Sequence, residues 1–454
     1  MEDGAAGTLF PILGAALAIA LSGCTSGEQT GVSWSPPGGW EAGGTDAVDY
    51  FREGRYDAAL GVARDLCAQG AAADRLRWQM EMISSLLLKG DAEESHRLMM
   101  STREGVELLF DPQAERKAVS LWHGENEKVF KGEGWERATL YAMLAFSFLD
   151  RGDWENAMRC AKNGLLGDSD SRNAASNADY ALLPYLGYLA ARRAGADGEA
   201  REFGAQYRGI VGEEIPQSAR EPDSLLVVWV GEGVICKAEG DYAQRRKVVE
   251  GGIEGRMESV SVTAADGRTW FSLPSGLADL NMQATGRGWR QMDQVLEDKA
   301  TVKSAFSDSG RGFLAASAVL MVVGTSDLRL AAVLYPTAGA LALLGGGALL
   351  SGEAVVADAD TRIWTCLPGR FLVVPLSGAR GTARLSGFMG WDEIYQGKVD
   401  LPGSGGGGIR VCHKSLIPDR LAIHENWKRQ VLDSVDGLIN VQKLPENEGR
   451  MEIP

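Results

Sequence analysis

A turn pattern recurs in the first half of this 454-residue chain and constrains its fold more than any other feature. Each turn has a glycine, then an aspartate within three residues, and it separates two stretches of helical apolar periodicity. A glycine at this place supplies the positive φ that ends one helix, and the aspartate begins the next. A small residue five positions after the glycine allows the two helices to approach closely. The pattern therefore predicts helical hairpins whose turn glycines are Gly54, Gly90, Gly152 and Gly195.

The hairpin around Gly152 has the most specific spacing. Its large and small apolar positions match the tetratricopeptide pattern: Leu140, Leu144, Ala145, Phe148, Trp154, Ala157 and Ala161. The four turn glycines lie 36, 62 and 43 residues apart, so the second interval must hold an insertion or longer helices. We predict a tetratricopeptide-like (TPR-like) helical-repeat domain over residues 46–210, with an ordinary helical bundle as the alternative. A repeat of this kind has a concave face that binds peptides or partner proteins.

The N-terminal sequence predicts where the protein is located. Residues 9–21 form an apolar run of 13, which is too short to span a bilayer comfortably but typical of a signal peptide. The run ends in Leu21, Ser22, Gly23 and Cys24, which resemble the lipobox of bacterial lipoproteins. This resemblance implies that residues 1–23 are removed and that Cys24 is lipidated. The sequence departs from the lipoprotein pattern in one respect, because Glu2 and Asp3 stand where a basic flank is usual. The alternatives to a lipoprotein signal are an ordinary signal peptide or a buried helix that contains a cysteine.

Residues 24–45 follow as the lipidated cysteine and a flexible tether, rich in Gly, Ser and Pro, with a reach of roughly 25 Å. By resemblance to lipoproteins of bacteria with two membranes, Thr25 in place of Asp implies sorting to the outer membrane, facing the periplasm. The expected partners are membrane lipid, through the acylated N-terminus, and an unknown protein or peptide. An oligomer is a further possibility.

Composition excludes several function classes. The chain has 61 acidic and 46 basic residues, a net charge of −15, which argues against tracking nucleic-acid phosphates. It contains no P-loop, dinucleotide fingerprint, Gly-x-Ser-x-Gly or Cys-x-x-Cys motif, so neither catalysis nor a cofactor is expected. His123 with Glu125 and Glu127 lacks a second histidine at helical spacing, so we expect no metal site. Cys412 and His413 are not expected to act together, because neighbours on a strand point to opposite faces.

From residue 222 the pattern changes to strands. Leu225–Val230 is a continuous apolar run that predicts a buried strand, and Asp266-Gly267 predicts a hairpin turn. Further strands are predicted at 371–374, 382–385, 398–401 and 409–412, with a helix at 291–306 whose charges form a solvated face. The fold class is therefore α+β: the helical-repeat domain precedes a β-rich α+β domain over 222–412. Residues 413–454 are predicted as a C-terminal helix and tail.

A hydrophobic, glycine-rich insert, residues 312–356, interrupts the second domain. Within it, residues 330–352 run 23 positions without a charge, long enough to span a bilayer. Pro336 and the glycines at 345–347 interrupt a helix, and the flanks carry no cluster of Lys or Arg. A buried helical hairpin is favoured. Membrane insertion and a glycine-packed oligomer are the alternatives, and a membrane-inserting or pore-like assembly is the alternative function.

One short motif precedes the late strands. It reads Ala-Asp-Thr-Arg-x-Trp-x-x-Leu-Pro and includes Asp360, Thr361, Arg362, Trp364, Leu367 and Pro368. With Lys131–Arg137 and Gly152-Asp153, it resembles an uncharacterised family of bacterial lipoproteins with a helical-repeat front half, over about residues 45–412. The resemblance implies a secreted, anchored, partner-binding protein and carries no activity.

The residues themselves give further expectations. Asp360 and Arg362 can form a bidentate ion pair or bind a polar ligand, while Trp364 packs. A structural role at the entry to a strand is favoured, because Leu367-Pro368 ends the segment. Glu133, Glu136 and Arg137 are expected at a helix start, where acids cap. Of the cysteines, two (Cys67, Cys160) are expected in helical cores, and one disulfide can form among the other three (Cys236, Cys366, Cys412) in an oxidising envelope.

Overall fold

The computed structural model describes most of the chain after the expected tether. The described residues are 44–108, 129–168, 179–251, 257–286, 291–326, 337–350 without 345 and 347, 359–401 and 408–419, with 423 and 426. The expected signal peptide, the lipobox Leu21–Cys24 and nearly all of the tether lie outside this set. So do His123, Glu125, Glu127 and the glycine-rich stretch at 403–407.

Residues 44–211 contain the four helical hairpins that the sequence predicts. Their helices are α1 (Gly44–Arg52), α2 (Tyr56–Gln69), α3 (Arg75–Lys89), α4 (Ala92–Leu108), α5 (Gly134–Arg151), α6 (Trp154–Asp168), α7 (Leu182–Ala194) and α8 (Asp197–Val211). The turn glycines Gly54, Gly90, Gly152 and Gly195 have φ values of 77°, 87°, 72° and 71°. Only glycine adopts this region without strain, so the expected role of all four is confirmed.

Side chains around the turns also behave as expected. The Asp91 carboxylate accepts the Glu94 backbone N–H at 3.1 Å, and Asp153 accepts that of Asn156 at 3.2 Å, which caps α4 and α6. The small residues five positions after the glycines are all buried: Ala59, Ser95, Ala157 and Ala200.

A central three-stranded sheet, in the order β6-β1-β9, covers one side of the helices. Its strands are β1 (Ser224–Glu232), β6 (Pro368–Leu376) and β9 (Arg410–Ser415). Strand β1 pairs antiparallel with β6 and parallel with β9, and its residues from Ser224 to Gly231 are buried. The continuous apolar run therefore predicted its burial correctly, because both faces of β1 are covered.

The second layer of strands is a four-stranded antiparallel sheet in the order β5-β4-β7-β8. Its strands are β4 (Ser259–Thr263), β5 (Thr269–Phe271), β7 (Gly381–Met389) and β8 (Asp392–Leu401). The β4–β5 hairpin turns at Gly267, with a φ of 83°, as predicted. A separate ribbon of β2 (Ile235–Glu239) and β3 (Arg245–Val249) was not predicted, because its many charged residues hide the strand pattern.

Alternate residues of β1 belong to two different cores. Leu225, Val227 and Trp229 pack with the helices, whereas Leu226, Val228 and Val230 pack with the four-stranded sheet. The fold is thus α+β, with the central sheet lying between helices and a second sheet. The predicted regions 46–210 and 222–412 contribute to one shared core.

The hydrophobic insert differs from its expectation. Helix α10 (Gln291–Ser326) runs well beyond the predicted 291–306, and a short helix α9 (Leu280–Thr285) precedes it. Lys299 on α10 is only 2% exposed, so the expectation that its charges form a solvated face is wrong at this residue. No helix among the described residues has the length and apolarity needed to cross a membrane.

The favoured buried hairpin is also wrong for the part of the insert that is described. The described residues between 337 and 350 are helical, and Ala338 is buried. Leu343, Leu344 and Leu350 are however 81%, 59% and 71% exposed. The β-rich layers do not cover these leucines.

The predicted C-terminal helix is described at two positions. Ile423 and Asn426 are helical, and Ile423 is buried in the core of the four-stranded sheet. The Asn426 amide donates to the Ile394 carbonyl on β8 at 3.3 Å. Strand β9 reaches Ser415, three residues past the expected end of the β-rich domain.

Candidate functional site

The motif Ala359–Leu367 is a segment without helix or strand that turns at Thr365–Cys366, contacts the helices and leads into the central sheet. We call these residues the clasp. Trp364, at its centre, is 1% exposed, and its indole Nε1 donates to the Ser84 hydroxyl on α3 at 2.9 Å. The expected packing of Trp364 is confirmed, and its partner is a helix almost 300 residues earlier in the chain.

Helix α3 binds the clasp backbone through one carboxylate. The Glu81 side chain is buried, and its Oε1 accepts the Thr365 N–H at 2.7 Å. Its Oε2 accepts the Cys366 N–H at 2.8 Å. Both oxygens therefore receive donors from consecutive peptide groups, which compensates for the cost of burying a charge.

Helix α5 contributes a second buried carboxylate. Glu136 Oε2 accepts the Glu133 N–H at 2.6 Å, and the two residues form the capping box that begins α5, which confirms the predicted capping role. Glu136 Oε1 accepts the Trp364 N–H, so the same side chain also holds the clasp. Burial raises the pKa of Glu136 to about 7, and the two backbone donors oppose that rise.

An arginine anchors the start of the clasp. Arg362 donates from Nε and Nη2 to the two oxygens of Asp360 at 2.9 and 2.7 Å, so the predicted bidentate pair is confirmed. Its Nη1 also donates to Asp74 at 2.8 Å, just before α3. Local sequence patterns could not predict the contact with Asp74, since 288 residues separate it from Arg362.

The end of the clasp leads into the central sheet. The Leu367 carbonyl accepts the Gly233 N–H at 3.1 Å, and Pro368 begins β6. Thr361 is nine-tenths buried. The motif thus has the structural role at a strand entry that was expected of it.

A second charged group lies beside the clasp, on the unpredicted ribbon. Arg246 on β3 pairs with Glu133 and donates from Nε to the Cys236 sulfur at 3.1 Å. It therefore connects the start of α5 with the β2–β3 ribbon. Sequence reasoning missed Arg246, because the strand that carries it was missed.

The cysteines in the described residues are all free thiols, so the structure contains none of the disulfides that Cys236, Cys366 and Cys412 could form. Cys160 lies in a helical core as expected, and Cys67 packs at the edge of another. Burial raises the pKa of the Cys366 thiol far above its usual range, which disfavours the reactive thiolate.

Cys412 and His413 point to opposite faces of β9, as expected. His413 Nδ1 accepts the Trp229 indole N–H at 3.1 Å, and its ring lies edge-on to Phe146. Burial lowers the pKa of His413 to about 4, so the imidazole is neutral at pH 7. Cys412 packs against the core of the other sheet. The pair makes no nucleophile and base.

Among the described residues, no group of three or more His, Cys, Asp or Glu side chains could hold a metal ion. In the clasp, the donors and acceptors described above are already paired with one another. These contacts fix the clasp backbone against α3 and α5.

Comparison with known protein families, with curated proteins and with solved structures found no match.

Proposed function

We propose that this protein is a lipid-anchored scaffold of the bacterial cell envelope, whose TPR-like helical layer binds a protein or peptide partner. The clasp is the observation that supports the scaffold role. Helices α3 and α5 hold a segment of this same chain that lacks helix and strand, by its backbone N–H groups and one tryptophan. A layer of helical hairpins that binds chain by its backbone in this way resembles a peptide-binding array.

The occupied clasp limits where a partner can dock. The inner faces of α3 and α5 are already covered by the clasp and by β9. We therefore assign the partner to the outer faces of the helical layer. The proposal includes no catalysis and no cofactor.

The anchor is a separate part of the proposal. Support comes from the resemblance of Leu21–Cys24 to a lipobox and from the family resemblance of the clasp motif. Thr25 in place of Asp favours the outer membrane, facing the periplasm. Labelling cells with a radioactive fatty acid tests it. We expect label on the native chain and none on Cys24→Ser. Unlabelled native chain, or label kept by Cys24→Ser, would refute the anchor.

The scaffold role is tested by site-specific photo-crosslinking in cells. A photoreactive amino acid at Glu202, exposed on α8, should give a discrete adduct with a partner. The matched position is Glu393, exposed on β8. Equal adducts at both positions, or none at Glu202, would contradict a scaffold that binds through its helices.

A second candidate is a membrane-inserting or pore-like assembly that uses residues 312–356. The exposure of Leu343, Leu344 and Leu350 favours it, since leucines exposed together mark a surface for lipid or protein. Carbonate extraction of the Cys24→Ser variant tests it. Retention in the membrane that is lost when the three leucines become serine supports insertion, and release into the carbonate supernatant removes it.

A further inference from the structure

An open cleft of about 780 Å³ lies along helices α7 and α8 and the segment that follows them. Its charged lining consists of four arginines (Arg192, Arg201, Arg208 and Arg220) and three acids (Asp197, Glu214 and Glu221). The volume is in the range of natural ligand sites, about 300–1,000 Å³. In a chain of net charge −15, a cleft in which arginines outnumber acids is a local reversal of charge.

Ion pairs within the cleft hold most of these arginines in place. Arg192 donates to Glu221 at 2.6 Å and to Asp197 at 3.2 Å. Arg208 pairs with Glu214 at 2.9 Å. Each guanidinium has five N–H donors in a rigid fork, so these contacts orient the group and leave donors for a ligand.

Arg201 is different from its neighbours. Its Nε donates to the Asp197 backbone carbonyl at 3.3 Å, within α8 itself. Within the part of the chain that the structure describes, no carboxylate lies in ion-pair distance of Arg201. Its exposed guanidinium is the group in the cleft best placed to accept a carboxylate from outside.

The cleft also has an apolar component. The partly exposed Tyr188 ring lines it beside Gly204, whereas Ala200 and Ile215 are only 4% exposed, so Tyr188 offers most of the apolar surface. An anion bound only by charge needs no such surface. The combination suits a ligand that carries apolar side chains and carboxylates together.

We propose that this cleft binds an extended acidic segment of a partner protein, with one of its carboxylates on Arg201 and an apolar side chain over Tyr188. The inference rests on the proposed scaffold function and names the site that the partner would use. The three acids in the lining repel a phosphate and a carboxylate alike, so the preference for a peptide rests on Tyr188 and on polar contacts with the peptide backbone. The acids are compatible with a peptide, whose backbone N–H groups can pair with them.

Binding of a fluorescein-labelled peptide of alternating glutamate and leucine to the purified full chain tests the proposal by fluorescence anisotropy. The neutral counterpart has glutamine for glutamate. We expect the acidic peptide to bind about tenfold more tightly than the neutral one, and Arg201→Gln to remove about that factor. Arg159→Gln, an exposed arginine on α6 outside the cleft, is the matched control and should leave binding unchanged.

A charge swap gives an independent check. Arg201→Glu should bind a peptide of alternating lysine and leucine better than the native chain does. Equal affinity for the acidic and neutral peptides, full binding by Arg201→Gln, or equal loss in Arg159→Gln would overturn the proposal. Displacement of the acidic peptide by inorganic phosphate at equal concentration would also overturn it, in favour of a simple anion site.

Crosslinking at Glu202 separates this inference from the scaffold function. If the partner adduct persists in Arg201→Gln, the cleft assignment fails while the scaffold stands. If the acidic peptide binds as expected but no partner adduct forms at Glu202, the scaffold fails while the cleft stands.

Discussion

The clasp and the cleft are two contact surfaces of one helical layer, and they use opposite chemistry. Two buried carboxylates, those of Glu81 and Glu136, hold the clasp by accepting its backbone N–H groups. The cleft is lined by arginines whose pairing acids are exposed, such as Arg192 with Glu221. Removing one side chain of a buried contact lowers stability, because the remaining polar group is left without a partner. When an exposed ion pair is broken, water solvates the remaining charge instead. We therefore expect the clasp contacts to stabilise the fold and the exposed ion pairs of the cleft to exchange partners readily.

The largest expected effect is on the inner side. Glu81→Ala leaves the Thr365 and Cys366 N–H groups buried without their acceptors, so we expect a loss of about 3–5 kcal/mol in the free energy of unfolding. Urea denaturation followed by circular dichroism measures it. The matched control is Glu53→Ala, where the carboxylate is exposed and pairs with Arg55. A loss no larger than that of the control would show that the clasp is not a stabilising contact.

The next largest effect is a change in stability with pH, which arises from His413 on β9 in the central sheet. Because the folded-state pKa of His413 is lowered to about 4 from 6.5, the unfolded chain binds its proton first as pH falls. The stability contribution is complete above pH 6.5 and is lost as pH falls towards 4, by about 3 kcal/mol at most. Denaturation at several pH values checks this loss.

The control for the pH effect is His413→Gln, which should flatten the stability profile between pH 4 and 6.5. Burial also lowers the pKa of His96, so His96→Gln should remove a further part of the same slope. Glu136 acts in the opposite direction, since its raised pKa of about 7 makes stability fall as pH rises from 4.5. An unchanged slope in His413→Gln would contradict the assignment.

A smaller effect separates the packed side of the α7–α8 hairpin from its open side. A Cβ on Gly187 would meet the Phe203 ring at 2.5 to 2.7 Å, so Gly187→Ala should cost about 1–3 kcal/mol. Gly209, on the same hairpin, has nothing within 4 Å of such a Cβ. Gly209→Ala should therefore stabilise α8 by up to about 1 kcal/mol. Equal shifts in melting temperature for the two variants would show that close packing does not decide whether the added methyl group stabilises or destabilises the hairpin.

The difference between the two surfaces also explains what sequence could predict. Local rules found the turn glycines, the capping box at Glu133 and the Asp360–Arg362 pair, because each depends on residues a few positions apart. The clasp could not be found in this way. Glu81 and Thr365 are 284 residues apart, and a glutamate on a helix has the same pattern whether it meets water or a peptide N–H. The exposed Leu343 was missed for a related reason, since an apolar run does not say what covers it.

The smallest expected effect on stability lies in the cleft. Glu221 is exposed and pairs with Arg192, whose guanidinium lowers the pKa of this carboxyl. Glu221→Gln should leave the unfolding midpoint unchanged within error, because water solvates the released arginine. The same change should tighten binding of the acidic peptide, since an internal carboxylate no longer competes for Arg192. Anisotropy titration of the native chain and the variant measures this, and weaker binding by Glu221→Gln would mean that Glu221 orients the arginine rather than competing for it.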